Sequence, residues 1–284
     1  MTIAIASGKG GTGKTTVATS LLAVARPGAT YVDCDVEAPN GHLFLRPRIR
    51  ARHPCPVTVP RVDPEKCTLC GRCREVCRFH AIAVLPRSVL VFDELCHGCG
   101  GCALACPAGA IREELRPIGV VEVGSALGAG FVHGRLNVGE AMSPPLIRAV
   151  REAGGQAEIV LLDAPPGTSC PAVASVRGAD YCVLVTEPTP FGLHDLGMAV
   201  GMVRALGIPF GVVINRSTVG DGATRDYCRA EGIEILEEIP SDRRIAEAYV
   251  AGEVVARAVP GLAGRFEALL GRVLERAAGN RAPS

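Results

Sequence analysis

The chain contains no tryptophan, and aromatic residues make up only 4% of it. Any core it builds must therefore be aliphatic. Lysine is nearly absent as well. Of 30 basic residues only three are lysine: Lys9, Lys14 and Lys66. Neither sign of charge dominates, and the net charge of +1 gives no electrostatic case for nucleic-acid binding. No run of eighteen apolar residues occurs, so no membrane span is expected. The N-terminus passes straight into "TIAIAS" with no charged segment before it, which speaks against a signal peptide. A cytoplasmic protein is the expectation, with membrane binding disfavoured.

What is present is a long aliphatic chain. Its 284 residues are 48% apolar, enough for one large α/β domain with a small insert. Apolar runs at 2–7, 30–35, 118–124, 158–167, 180–188, 209–215 and 233–240 read as strands buried on both faces. Helix-like segments lie at 14–25, 143–154, 192–206, 221–231, 242–251 and 260–277. Ser143 before Pro144 suits a capped helix start. This alternation predicts a doubly wound, mostly parallel sheet. The closing "NRAPS" reads as a frayed tail.

Residues 62–112 break the rhythm. Eight of the thirteen cysteines fall here, in a duplicated unit. "CTLCGRCREVCRFHAI" begins at Cys67 and "CHGCGGCALACPAGAI" at Cys96. All four Cys pairs, Gly71/Gly100 and the two Ala-Ile pairs share an offset of 29. Each unit has C-x2-C-x2-C-x3-C spacing, which suits an iron–sulfur cubane. Zinc prefers separated pairs and would leave thiols over. The domains expected are therefore 1–61 with 113–284, and an inserted α+β unit at 62–112.

"SGKGGTGKTT" at 7–16 lies between a strand and a helix. The frame Gly8-x-x-x-x-Gly13-Lys14-Thr15 is a phosphate-binding loop. Its N–H groups, across Gly10, Gly11, Thr12, Gly13 and Thr16, would cradle phosphate oxygens. Lys14 would neutralise the β- and γ-phosphates and the Thr15 hydroxyl would ligate Mg²⁺. Lys9 is a second lysine in one loop of a chain that otherwise uses arginine. That suggests a need for a compact ammonium.

"GKGGTGKTT" resembles the deviant phosphate loop of the MinD/ParA/Mrp and nitrogenase iron-protein group of ATPases. The likeness covers essentially the whole chain. "VDCDVEAPNGHLF" (32–44) is similar to switch I, which implies that Asp35 positions the attacking water. "LLDAPPGTSCP" (161–171) is similar to the Walker B strand and switch II, which places Asp163 near Mg²⁺. "INR" (214–216) and "IPSD" (239–242) resemble the segments that hold adenine, implying contacts from Asn215, Arg216 and Pro240. Thr218 stands where guanine binders carry Asp. In this family the first lysine of the loop reaches across an ATP-closed dimer, and Lys9 matches it. The plainer alternative is that Lys9 only adds charge to its own loop.

The Cys unit resembles two-cluster ferredoxins, where the fourth Cys of each repeat ligates the other cluster. That implies one [4Fe-4S] cluster on Cys67, Cys70, Cys73 and Cys106, and a second on Cys96, Cys99, Cys102 and Cys77. Arg78 departs from the Pro that follows Cys106. Cys34 and Cys182 read as core residues, while Cys55 and Cys228 have no obvious partner. Cys170 reads either as a structural thiol or as part of a bridging site.

The chain thus reads as an ATP-hydrolysing iron–sulfur protein. It would couple dimer and switch changes to electron transfer or metallocofactor assembly on a client protein. The dimer partner would be a second copy or a related chain. The alternative is a MinD/ParA-like positioning or scaffold ATPase with structural or redox-sensing clusters. For that reading a C-terminal membrane helix would help, and "GLAGRFEALLGRVLERAAG" has an apolar face. A closing helix packed on the sheet explains the face better.

Overall fold

The computed structural model describes residues 1–25, 27–155 and 157–279; the expected tail "NRAPS" lies outside the described residues. The first half of the chain runs β1 (Thr2–Ala6), α1 (Lys14–Val24), β2 (Ala29–Asp33), α2 (Gly41–Leu45), β3 (Arg48–Val62), α3 (Arg72–Val76), β4 (Ile82–Val84), β5 (Val89–Val91), α4 (Gly101–Leu104) and β6 (Ile111–Ala126). The second half runs β7 (Ala129–Leu136), α5 (Pro144–Ala153), β8 (Ile159–Asp163), α6 (Cys170–Val176), β9 (Tyr181–Thr186), α7 (Pro190–Ala205), β10 (Phe210–Asn215), α8 (Ala223–Ala230), β11 (Ile235–Ile239), α9 (Arg243–Val250), α10 (Val255–Ala258) and α11 (Leu262–Gly279).

Nine strands form one sheet in the order β11-β10-β9-β1-β8-β2-β7-β6-β3. The pairs from β11 through β7 run parallel. β1, β8 and β9 are buried on both faces, as near-continuous Ile, Val and Leu runs require. This is the doubly wound, mostly parallel α/β fold that the sequence predicts. β6 and β7 join through Leu127 and Gly128, both at positive φ (53° and 81°), as a two-residue hairpin turn demands. β3 ends the order. Arg48, Arg50 and Arg52 recur at every second position, followed by Pro54 and Pro56, a composition that blunts an edge.

The chain divides into two compact units. The first comprises Met1–Arg52, Val121–Arg135 and Ile147–Ser284. The second comprises His53–Val120 and Leu136–Leu146, taking in more chain than the Cys-rich stretch 62–112.

In the first unit α11 buries Leu262, Phe266, Leu269, Leu270, Val273 and Ala277 in the main apolar cluster, with Ile5, Val17 and Leu21. The apolar face of the last helix is therefore spent on the core. Among the described residues no helix is long and apolar enough to cross a membrane.

In the second unit the repeat in sequence is a repeat in backbone. Asp63 N–H donates to Ala110 O at 2.7 Å and Phe92 N–H donates to Ala81 O at 2.8 Å. Both donors and both acceptors are related by the offset of 29. Gly71 and Gly100 take φ of 82° and 71°, each just before its short helix, α3 or α4.

Candidate functional site: a phosphate loop and two cysteine quartets

The loop follows β1 and ends at Gly13, whose φ of 95° needs glycine. A Cβ there would also stand 2.3 Å from Asn215 Nδ2. No side chain caps α1, so its first N–H groups stay free for an anion. At the other end of the loop Gly8 lies against α7, where a Cβ would stand 1.9 Å from Asp195 O. These two close approaches fix the path of the loop.

A cleft of about 410 Å³ opens over it. Gly10, Gly11, Gly13, Lys14, Thr15, Thr16, Asp35, Asp163, Asn215, Arg216 and Pro240 all line the cleft. Ile245, Ala246, Tyr249 and Val250 from α9 add an apolar wall suited to a flat base. The structure therefore brings together every nucleotide-site residue expected from sequence except two. Thr12 is buried beneath the loop, and its Oγ1 has no hydrogen-bond partner. Lys9 turns away and pairs with Glu187, which also accepts from Arg216 Nη1 at 3.0 Å.

Electrostatics under the loop are strained by burial. Asp163 is 2% exposed and accepts from Tyr31 Oη at 2.8 Å on Oδ2, while Oδ1 has no partner. Burial pushes its pKa up to about 6, against the pull of Thr15, Lys14 and Tyr31. Asp33 is also buried. Its carboxylate accepts from the N–H groups of Asp35 (3.1 Å), Asn40 (3.1 Å) and Gly41 (2.9 Å), yet burial and then Asp163 raise its pKa well above the ordinary range. Burial raises Asp35 too, and it lowers Lys14 despite Asp163 and Asp35. Two carboxylates, Asp163 and Asp35, thus act on one lysine, and the surplus negative charge suits a divalent cation. Mg²⁺ fits: Asp163 Oδ1 is a buried, unpartnered oxygen, and Thr15 and Asp35 line the same cleft.

Sequence reasoning missed Asp33, Asn40, Tyr31 and Glu187. Asp33 holds the loop of switch I by three backbone N–H groups. Asn40 Oδ1 accepts from Thr15 Oγ1 at 2.9 Å, and Tyr31 supports Asp163. Asp33 alternates with Asp35 in "VDCD", and that pairing is the one signal that pointed to it. Asn215, expected at the adenine edge, donates to Thr12 O at 2.8 Å and accepts from Arg216 N–H at 3.0 Å.

The second unit holds two hollows. One is lined by Cys67, Cys70, Cys73 and Cys106; the other by Cys96, Cys99, Cys102 and Cys77. Three thiols of each quartet come from one repeat and the fourth from the other. Cys77 Sγ accepts from Ala81 N–H and Cys106 Sγ from Ala110 N–H, both at 3.3 Å. The thiols ring each hollow rather than converge on one point. Among the described residues no three His, Cys, Asp or Glu come together closely enough for a single ion. A cluster of several iron and sulfide atoms spreads its ligands wider than one ion does, and this all-thiol donor set fits it. Cys34, Cys55, Cys182 and Cys228 are buried, whereas Cys170 is exposed.

A parallel sheet with this loop at the end of its first-numbered strand, a buried lysine and an acidic switch defines a P-loop ATPase. Comparison with known proteins narrows the class. Residues 3–255 match the CobQ/CobB/MinD/ParA nucleotide binding domain, and the chain belongs to that family. An uncharacterised protein of Methanocaldococcus jannaschii is 29% identical over 264 residues, 89% of this chain and 90% of that one. The iron-sulfur cluster carrier protein of Pyrococcus horikoshii is 24% identical over 278 residues, 88% and 77% of the two chains. Among solved structures, the cell division ATPase MinD of Pyrococcus furiosus is 21% identical with a TM-score of 0.59, covering 96% of this chain and 98% of that one. The septum site-determining protein MinD of Pyrococcus horikoshii, complexed with Mg-ADP, is 21% identical with a TM-score of 0.57 and full coverage of both. At that identity the structural likeness shows the fold.

Proposed function

We propose that the chain is an ATP-hydrolysing iron–sulfur protein. In this reading residues 62–112 are an inserted ferredoxin domain holding two [4Fe-4S] clusters, and nucleotide-driven closure of a dimer acts on a redox or metallocofactor client. The observation that carries it is the crosswise sorting of eight cysteines into two quartets within one chain that also has a phosphate loop. The likeness to iron–sulfur cluster carriers supports the same reading.

Each site residue then has a task. Loop N–H groups and Lys14 hold the β- and γ-phosphates, and Thr15 and Asp163 hold Mg²⁺. Asp35 orients the attacking water, while Ile245, Pro240 and Tyr249 flank the base. Phosphoryl transfer needs this positioning and charge neutralisation more than covalent help. Lys9 would serve the partner's nucleotide. The eight thiolates hold the clusters, which supply one-electron chemistry when bound.

The test is anaerobic purification with iron and sulfide counts and EPR of the reduced protein, with and without MgATP. About eight irons per chain and a nucleotide-dependent spectral change are expected. Iron-free protein with full ATPase activity would sink the reading. The MinD/ParA-like alternative, a positioning or scaffold ATPase with structural or redox-sensing clusters, draws on the family and the fold, and the burial of the α11 apolar face favours the first reading.

A further inference from the structure

The two quartets are built by duplication, so most lining positions of one hollow have a counterpart 29 residues away in the other. Thr68 and Ala108 of the first are replaced by His97 and Phe79 in the second, whose rings stack. Val84 lines the hollow of the Cys67 quartet, and its counterpart Glu113 lines that of the Cys96 quartet. Glu113 Oε1 sits 3.3 Å from where a Cβ on Gly100 would stand, against the loop between Cys99 and Cys102. The matching loop position, Gly71, has nothing within 4 Å. Between Cys70 and Cys73 stands Arg72, with Arg74 just beyond; their counterparts are Gly101 and Ala103. The Cys67 frame thus carries two arginines, and the Cys96 frame a carboxylate and one arginine, Arg78 beside Cys77, whose counterpart is Pro107. Glu114, next to Glu113, is already engaged by Arg61 and Arg112.

Backbone donors do not produce this difference. The N–H···S bonds on Cys77 and Cys106 are equal at 3.3 Å. One extra bond, Gly98 N–H to Cys96 Sγ at 3.5 Å, slightly favours reduction at the Cys96 quartet. It is the longest of the three, and two cations on one side against one cation and one anion on the other outweigh it.

We propose that Glu113 and the Arg72–Arg74 pair give the two quartets unequal reduction potentials, with the higher at Cys67, Cys70, Cys73 and Cys106. This rests on the proposed two-cluster reading. Each one-electron reduction adds one negative charge and moves no proton. Nearby cations favour it and a nearby carboxylate opposes it. A single electron added to the chain therefore resides on the Cys67 side.

The test is an anaerobic dithionite titration of the full chain at low ionic strength, followed by EPR, with iron counted in every variant. Two one-electron steps are expected. Glu113→Gln should raise only the lower step and Arg72→Gln/Arg74→Gln should lower only the upper one. Each change should be about three- to tenfold in the reduced-to-oxidised ratio, tenfold being 59 mV for one electron. Because these side chains are exposed, the separation should shrink in high salt. Full iron with a single unsplit step, or with Glu113→Gln moving the upper step, overturns the inequivalence alone. A chain that takes up no iron overturns both this inference and the function it rests on.

Discussion

Asp163→Asn should abolish Mg-dependent hydrolysis and at the same time stabilise the nucleotide-free protein. The reasoning starts from burial. Asp163 is ionised at neutral pH although its pKa is pushed from 3.8 to about 6. Between those values the native state binds more protons than the unfolded chain, so stability falls as pH rises through the window. Above pH 6 the full penalty applies. At 1.36 kcal/mol per pKa unit it amounts to about 3 kcal/mol. Asn keeps an acceptor for Tyr31 Oη and removes the charge. It also takes a counter-charge from Lys14, which returns part of the gain. A net increase of about 1–2 kcal/mol at pH 8 is expected. Urea unfolding at pH 8 and at pH 4 measures it. The advantage should be present at pH 8 and should shrink toward zero at pH 4, where the parent is already protonated. A variant less stable than the parent at pH 8, or an advantage independent of pH, would refute the assignment of Asp163 as a carboxylate kept charged for its ligand.

Gly8→Ala should lower the unfolding midpoint sharply in a thermal melt, because the new Cβ would meet Asp195 O at 1.9 Å, on backbone that cannot yield cheaply. A loss of about 3 kcal/mol or more is the expected size for such overpacking. Lys9→Ala should bind ATP like the parent in a fluorescent-nucleotide assay but lose ATP-dependent dimerisation and the hydrolysis that goes with it. Unchanged dimerisation by light scattering would return Lys9 to a local role. Phe266→Ala, 2% exposed in the parent, should cost about 3–5 kcal/mol in urea, as a core position does; a membrane-facing residue would cost little and would change liposome binding instead.

Much of this was legible in sequence, for physical reasons that also explain the gaps. β1, β8, β9 and β10 are buried almost throughout, so each shows as an apolar run. β3 was not read as a strand because an edge needs no such run; its alternating arginines look polar. β7 escaped notice because Gly130 and Gly134 interrupt it and its buried His133 pairs with Glu122 at 2.5 Å rather than with solvent. α6 follows switch II in only seven residues, too few to show a period. The cysteine quartets could be written down from the resemblance to two-cluster ferredoxins, in which the fourth Cys of each repeat ligates the other cluster; the offset of 29 alone says only that the two units repeat. Asp33, Asn40 and Tyr31 could not be assigned roles. Asp33 and Asn40 stand within the 32–44 motif and Tyr31 beside it, but their work lies in holding the loop and Asp163 through contacts that only the folded chain makes.

The same contrast bears on the two lysines of the loop. Lys14 is 8% exposed and committed to its own cleft, where Asp163 and Asp35 hold its charge. Lys9 does nothing there: Glu187 holds it, and that carboxylate also holds Arg216, a residue of the cleft wall. In a solitary chain the pairing neutralises the second lysine. Freed from Glu187, it would need an acceptor stronger than one carboxylate shared with an arginine, and a triphosphate is such an acceptor. A compact ammonium can change between the two with little rearrangement, where the planar fork of arginine would be anchored twice by the same carboxylate. On the proposed dimer reading, the retention of lysine at this position has a physical reason: the residue must be able to let go.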